Sequence, residues 1–95
     1  MDPKKAEEFY SRLKEQLEQD TNWPAPYLYK FIVPTDTAKI QQIEDIFNNM
    51  GAVINSKQSK KGTYTSVSIN VRMPNPAKVI EKYIEVSAVE GVISL

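Results

Sequence analysis

Apolar and polar positions repeat with two different periods along this chain, and the switches between them mark out its elements. Ala6, Phe9, Leu13 and Leu17 recur at helical spacing, with Tyr10 beside them. Lys4, Glu8, Glu15 and Glu18 take the opposite side. This predicts an amphipathic helix of about four to five turns over residues 3–20. Asp2 is its expected N-cap and Pro3 its first helical residue. The stripe is narrow, so the helix must dock on its own domain, on an open sheet face or on another subunit. Two prolines in Asn22–Pro26 end it, because they forbid helical geometry.

Tyr27–Val33 is rich in aromatic and β-branched residues and predicts a strand. Tyr27, Tyr29, Phe31 and Val33 share one face; Leu28, Lys30 and Ile32 share the other. Pro34–Thr37 offers caps for a second helix, in which Ile40, Ile43, Phe47 and Met50 step by three and four. Gly51 stands where a left-handed C-terminal residue is wanted. Ala52–Gln58 reads as a polar edge strand whose Lys57, with Lys60 and Lys61 after it, discourages pairing with other chains. Thr63–Met73 is a third strand, with Val67, Ile69, Val71 and Met73 inward and Tyr64, Ser66, Ser68, Asn70 and Arg72 outward. Asn75 and Pro76 start a last helix, with an expected buried stripe of Val79, Ile80, Tyr83 and Ile84. Gly91 precedes a short strand, Val92–Leu95.

The order after residue 26 is β-α-β-β-α-β. The expected class is α+β: a ferredoxin-like βαββαβ sandwich with a four-stranded antiparallel sheet, plus an extra N-terminal helix. Right-handed crossovers place both later helices on one face of the sheet. The division is residues 1–22 for the N-terminal amphipathic helix and 23–95 for the ferredoxin-like domain. The expected core is Phe31, Ile43, Phe47, Val67, Ile69, Val71, Ile80 and Ile84.

Composition narrows the function classes. The 95 residues hold no cysteine and no histidine, and the formal net charge is zero. Thiol nucleophiles and zinc-thiolate sites are excluded, and the commonest general base is missing. A neutral chain argues against general nucleic-acid binding and against polybasic membrane attachment. No apolar run reaches about 20 residues, and the N-terminal pattern is not a signal peptide. A cytoplasmic location without membrane is the expectation.

Trp23-Pro24-Ala25-Pro26-Tyr27-Leu28-Tyr29-Lys30 and Ser59-Lys60-Lys61-Gly62-Thr63-Tyr64-Thr65-Ser66-Val67-Ser68-Ile69 carry a family likeness. Over roughly residues 23–95 the chain resembles the YbeD-like family of small uncharacterised bacterial proteins. The resemblance implies a ferredoxin-like fold similar to ACT regulatory domains, and a link to regulation or to lipoate metabolism. It carries over no catalytic or ligand residue. The N-terminal helix is longer than the family pattern.

Each candidate site has a plainer reading. Ser59–Gly62 is a basic turn able to hold an anion, or simply a hairpin turn with solvated charge. The row Tyr64–Arg72 has too few aromatics for base stacking and suits cross-strand pairing or a dimer contact. The Pro34–Thr37 loop opens a helix, but it lacks glycine and Asp36 repels anions, so capping is preferred. Glu7-Glu8 and Glu44-Asp45 are neighbours that do not face each other on a helix, which makes them poor acid/base or metal pairs. An acylphosphatase-like site would want a glycine-rich loop with arginine after the first strand, and it is absent. Trp23 is expected to pin the N-terminal extension to the core.

The charge is uneven. Between Lys57 and Lys82 stand six bases and one acid, Glu81, whereas the first twenty residues hold six acids and four bases. The expectation is therefore a non-enzymatic ACT-like regulatory or binding module without cofactor or metal. Lys57, Lys60, Lys61, Tyr64 and Arg72 are its candidate ligand-binding residues, for a small anionic ligand or an acidic protein partner. The alternative is a protein-interaction domain with no small-molecule ligand, including a homodimer.

Overall fold

The computed structural model describes residues 3–95, so the proposed N-cap Asp2 lies outside the described residues. The elements are α1 (Pro3–Asp20), β1 (Ala25–Pro34), α2 (Thr37–Ile46), β2 (Val53–Gln58), β3 (Tyr64–Met73), α3 (Pro76–Ser87) and β4 (Ile93–Ser94). The sheet order is β2-β3-β1-β4, antiparallel throughout. β1 and β3 are the central pair, in register from Ala25 opposite Met73 to Pro34 opposite Tyr64. This is the arrangement the order of periodicities predicts.

Alternation decides the faces. Tyr29, Phe31 and Val33 of β1 and Val67, Ile69, Val71 and Met73 of β3 are buried under α2 and α3. Ile43 and Phe47 reach them from α2, and Val79, Ile80, Tyr83 and Val86 from α3. The aromatics cluster. Tyr29 lies 5.0 Å from Phe47 and 4.9 Å from Tyr83 between ring centroids. The Tyr29 hydroxyl donates to the Val79 carbonyl at 3.1 Å, and the Tyr27 and Tyr83 hydroxyls are paired at 2.7 Å. Each buried phenol thus has a partner, as low-dielectric surroundings require.

Two sequence expectations are corrected. Ile84 is not core: it is 51% exposed. The buried stripe of α3 runs Pro76, Val79, Ile80, Tyr83, Val86, continued by Val89 past the helix end. Ile84 sits about 100° around the helix from Tyr83, beyond the edge of that stripe. The second is the end of α2, which stops at Ile46 rather than running on to Gly51. Phe47 and Asn48 donate to carbonyls three residues back, which tightens the chain, and Asn49 then takes a left-handed φ of 62°. Asparagine is the side-chain-bearing residue best suited to that conformation. Lys82 reaches across from α3 and donates to the Ile46 carbonyl at 2.8 Å, closing the exposed end of α2.

The caps follow the sequence. Asp36 accepts from Ala38 N and Asn75 accepts from Lys78 N, each at 2.9 Å. Gly91 is required sterically. Its φ is +82°, and a Cβ there would lie 2.9 Å from Pro34 Cγ.

The position of α1 settles which surface stays open. It packs against α3, with Tyr10, Leu13 and Leu17 half-buried at the edge of the core. Trp23 pins the connection by donating its indole N–H to the Leu17 carbonyl at 3.0 Å. α1 therefore widens the helical layer and leaves the opposite face of the sheet uncovered.

Candidate binding face

The uncovered face is assembled by register. The three middle outward residues of β3 each meet an outward residue on either side. Ser66 lies between Ile32 and Lys57, Ser68 between Lys30 and Asn55, and Asn70 between Leu28 and Val53. Ile93 of β4 extends the first row beyond Ile32. Leu28, Val53, Tyr64 and Ile93 are about half exposed or more. The face is thus a mixed field of hydroxyls, amides, scattered aliphatic groups and three cations: Lys30, Lys57 and Arg72.

Its electrostatics have one sign. None of the Asp and Glu residues among the described residues falls in a strand or in the turn between β2 and β3, whereas Lys30, Lys57, Lys60, Lys61 and Arg72 all do. Asp36, the N-cap of α2, follows Thr35, whose N bonds Thr63 O at the hairpin end at 3.0 Å. A surface built this way attracts anions in spite of zero formal net charge.

The five sequence-nominated residues do not form one site. Lys57, Lys60, Lys61 and Tyr64 gather at the hairpin end. Arg72 lies eight residues along β3 from Tyr64, about 27 Å away at strand rise, where its Nη2 donates to the Pro24 carbonyl at 3.5 Å. Lys30 was missed as a site residue. Only the pairing of β1 with β3 shows that it occupies the middle of the face, about 12 Å from Lys57 by strand spacing and rise. The Ser59–Gly62 turn uses its own amides: Gly62 N bonds Ser59 O at 2.8 Å and Ser59 N bonds Tyr64 O at 2.7 Å. Ser59 Oγ also accepts from Tyr64 N. These donors are spent on the hairpin, which favours the plain-turn reading. Gly62, at φ 74°, supplies the left-handed position.

Two grooves lie elsewhere. A groove of about 310 Å³ lies between the C-terminal end of α2 and the start of β2, lined by Glu44, Asp45, Asn48, Asn49 and Ile54 among others. A smaller one, about 160 Å³, lies beside Met73, Lys78 and Lys82. Neither is on the sheet face. Among the described residues, no group of three or more His, Cys, Asp or Glu is placed to hold a metal ion. No described helix is long and apolar enough to cross a membrane. Burial holds the Tyr29 and Tyr83 phenols well above the usual tyrosine range, reinforced for Tyr83 by its bond to Tyr27.

No curated protein and no solved structure matches the chain. A family model, described as a protein of unknown function (DUF493), matches residues 18–95. The chain belongs to that family, the YbeD family.

Proposed function

We propose that this YbeD-family chain is a non-catalytic binding module of the ACT-like regulatory kind, and that it works by seating an acidic protein surface on its open sheet face. The observation that supports this is the segregation of charge: five bases and no acid in the strands and the β2–β3 turn. The placing of α1 on α3 leaves that face available. The shape favours a macromolecule over a small anion. Small-molecule sites are concave pockets of about 300–1,000 Å³, and the grooves described above lie off the face. Half-exposed Leu28, Val53 and Ile93 among the cations give a partner apolar contact as well as charge.

The test is a quadruple variant, K30Q/K57Q/K60Q/K61Q, which removes charge from the face and the turn without touching the core. Surface changes of this kind leave folding within about 0.5 kcal/mol each. Partner capture from native lysate should be lost in the variant, and in the unaltered chain it should weaken steeply with added salt. Capture that is the same in both chains at every salt concentration refutes the proposal.

A further inference from the structure

The buried core closes without α1. Its members come from β1, β3, α2 and α3 and from the turns beside them. Along α1 no described residue is buried. Ala6, Tyr10, Leu13 and Leu17, at steps of four, three and four, are half-buried, and the rest of the helix is exposed. Phe9, which spacing groups with the stripe, only rests edge-on against Tyr10, 5.6 Å between ring centroids. The family model begins at residue 18, so nearly all of α1 lies outside it, whereas α3 lies inside. The face beneath α1 thus belongs to the family domain, and its cover is an addition. We infer that this outer face of α3 is a docking site for an amphipathic helix of a partner protein, and that α1 is a detachable cover holding the site in cis.

The seat is defined by what now sits in it. Tyr10 stands close enough to the Tyr83 phenol to act on it electrostatically, and Leu13 and Leu17 pack on the edge of the core. The positions from Ala6 to Leu17 span about 17 Å of helix. They follow the spacing by which amphipathic helices anchor in apolar grooves. The cover is incomplete. Ile84, beside Tyr83 on α3, and Phe9 on α1 both stay more than half exposed. A partner helix with large apolar residues at the same steps, and one more reaching Ile84, takes more apolar surface out of water than α1 does. It needs that advantage, because a tethered segment acts at an effective concentration on the order of millimolar.

Release asks little of the rest of the fold. α1 joins β1 through residues 21–24 alone. Trp23 is the clasp, since its indole donates to the Leu17 carbonyl, one of the last four of the helix. Off its seat α1 loses the packing from which most helical stability comes, and it becomes a flexible arm. The site lies on the helical layer, behind the sheet, so it stands independently of the acidic partner proposed for the open face.

The test uses the full chain and, as a stand-in for the partner helix, a fluorescein-labelled peptide of residues 1–20. In the unaltered chain, α1 amides should exchange with solvent roughly tenfold or more faster than those of β1 and β3. Leu13→Asp puts a charge on the seat. In that variant α1 should exchange as coil while β1 and β3 stay protected, and Trp23, the chain's one tryptophan, should emit further to the red. The peptide should bind the variant roughly tenfold or more tightly than the unaltered chain, where the closed cover lowers its apparent affinity. Binding should persist at about 0.5 M salt, which screens exposed charges. A peptide carrying Tyr10→Ser, Leu13→Ser and Leu17→Ser should not bind. The inference is overturned by α1 exchanging in step with the sheet, by loss of sheet protection in Leu13→Asp, by equal binding or none to the two chains, or by a serine peptide that binds as well. Binding abolished by salt overturns it too, since the peptide, with six acids to four bases, would then be sitting on the cationic sheet face.

Discussion

Replacing Phe47 with alanine tests the packing argument where it is most concentrated. Phe47 is 2% exposed and closes the core between α2 and the central strands. Its ring lies 5.0 Å from Tyr29 and 6.5 Å from Phe31, with the Lys82 ammonium 5.9 Å above it. Truncation removes the transfer free energy of the ring and leaves a cavity that rigid strands cannot close. That combination costs about 3–5 kcal/mol. A domain of this length has total stability of about 5–14 kcal/mol, so the variant loses about a fifth of it or more. At about 4–8 °C per kcal/mol, the melting temperature drops by roughly 12–40 °C. Ile84→Ala is the matched control. It lies half-exposed on α3, and alanine's better helix propensity offsets the small loss of contact. Its cost should stay under about 1 kcal/mol. Urea unfolding followed by circular dichroism, with the slope m unchanged, measures both. Equal losses at the two positions, or a loss at Phe47 under about 1 kcal/mol, would show that the buried face has been misassigned.

Alkali should destabilise the fold through the buried phenols. Tyr29 and Tyr83 keep their protons in the folded state above the unfolded value of about 10, so their stabilisation is complete below that pH and declines as pH rises past it. With both contributing, the decline approaches about 2.7 kcal/mol per pH unit, and Tyr83→Phe should halve it; stability that stays level to about pH 11.5 contradicts this. Lys82→Met should remove the donor at the end of α2 at a cost of about 1–2 kcal/mol and speed amide exchange across Phe47–Asn49. Unchanged exchange there would mean that the Ile46 carbonyl needs no cap.

The strands were legible because alternation is strict. Tyr29, Phe31 and Val33 against Leu28, Lys30 and Ile32 leave no choice of face, and the central pairing followed from the order of elements. Periodicity was less decisive on α3. Isoleucine at 84 extends the apolar run, and only the angle of the helix against the sheet shows that Val86 is buried instead. The early end of α2 was hidden for another reason. Asn49 takes the left-handed conformation there, and Lys82 caps the Ile46 carbonyl through an interaction across 36 residues that no local pattern encodes. The docking of α1 was recognisable as a necessity but not as a place, since a narrow stripe fits a helix or a sheet equally well. For the binding face, the lysines of the hairpin stood out as a run. Lys30 did not, because a lone cation in a strand gains meaning only when register sets it beside Ser68 and within reach of Lys57.

The separation of charge between sheet and helices makes the molecule an electrical vane. Its formal net charge is zero at pH 7, so it does not drift in a uniform field, yet it turns in one. Beside a negatively charged surface the torque acts within about 8 Å at physiological ionic strength, before any contact forms. The sheet swings to the front and the acid-bearing helices to the rear. A negatively charged chromatographic bead would therefore retain this protein at a pH where its charge sums to nothing, and would hold it always by the same side.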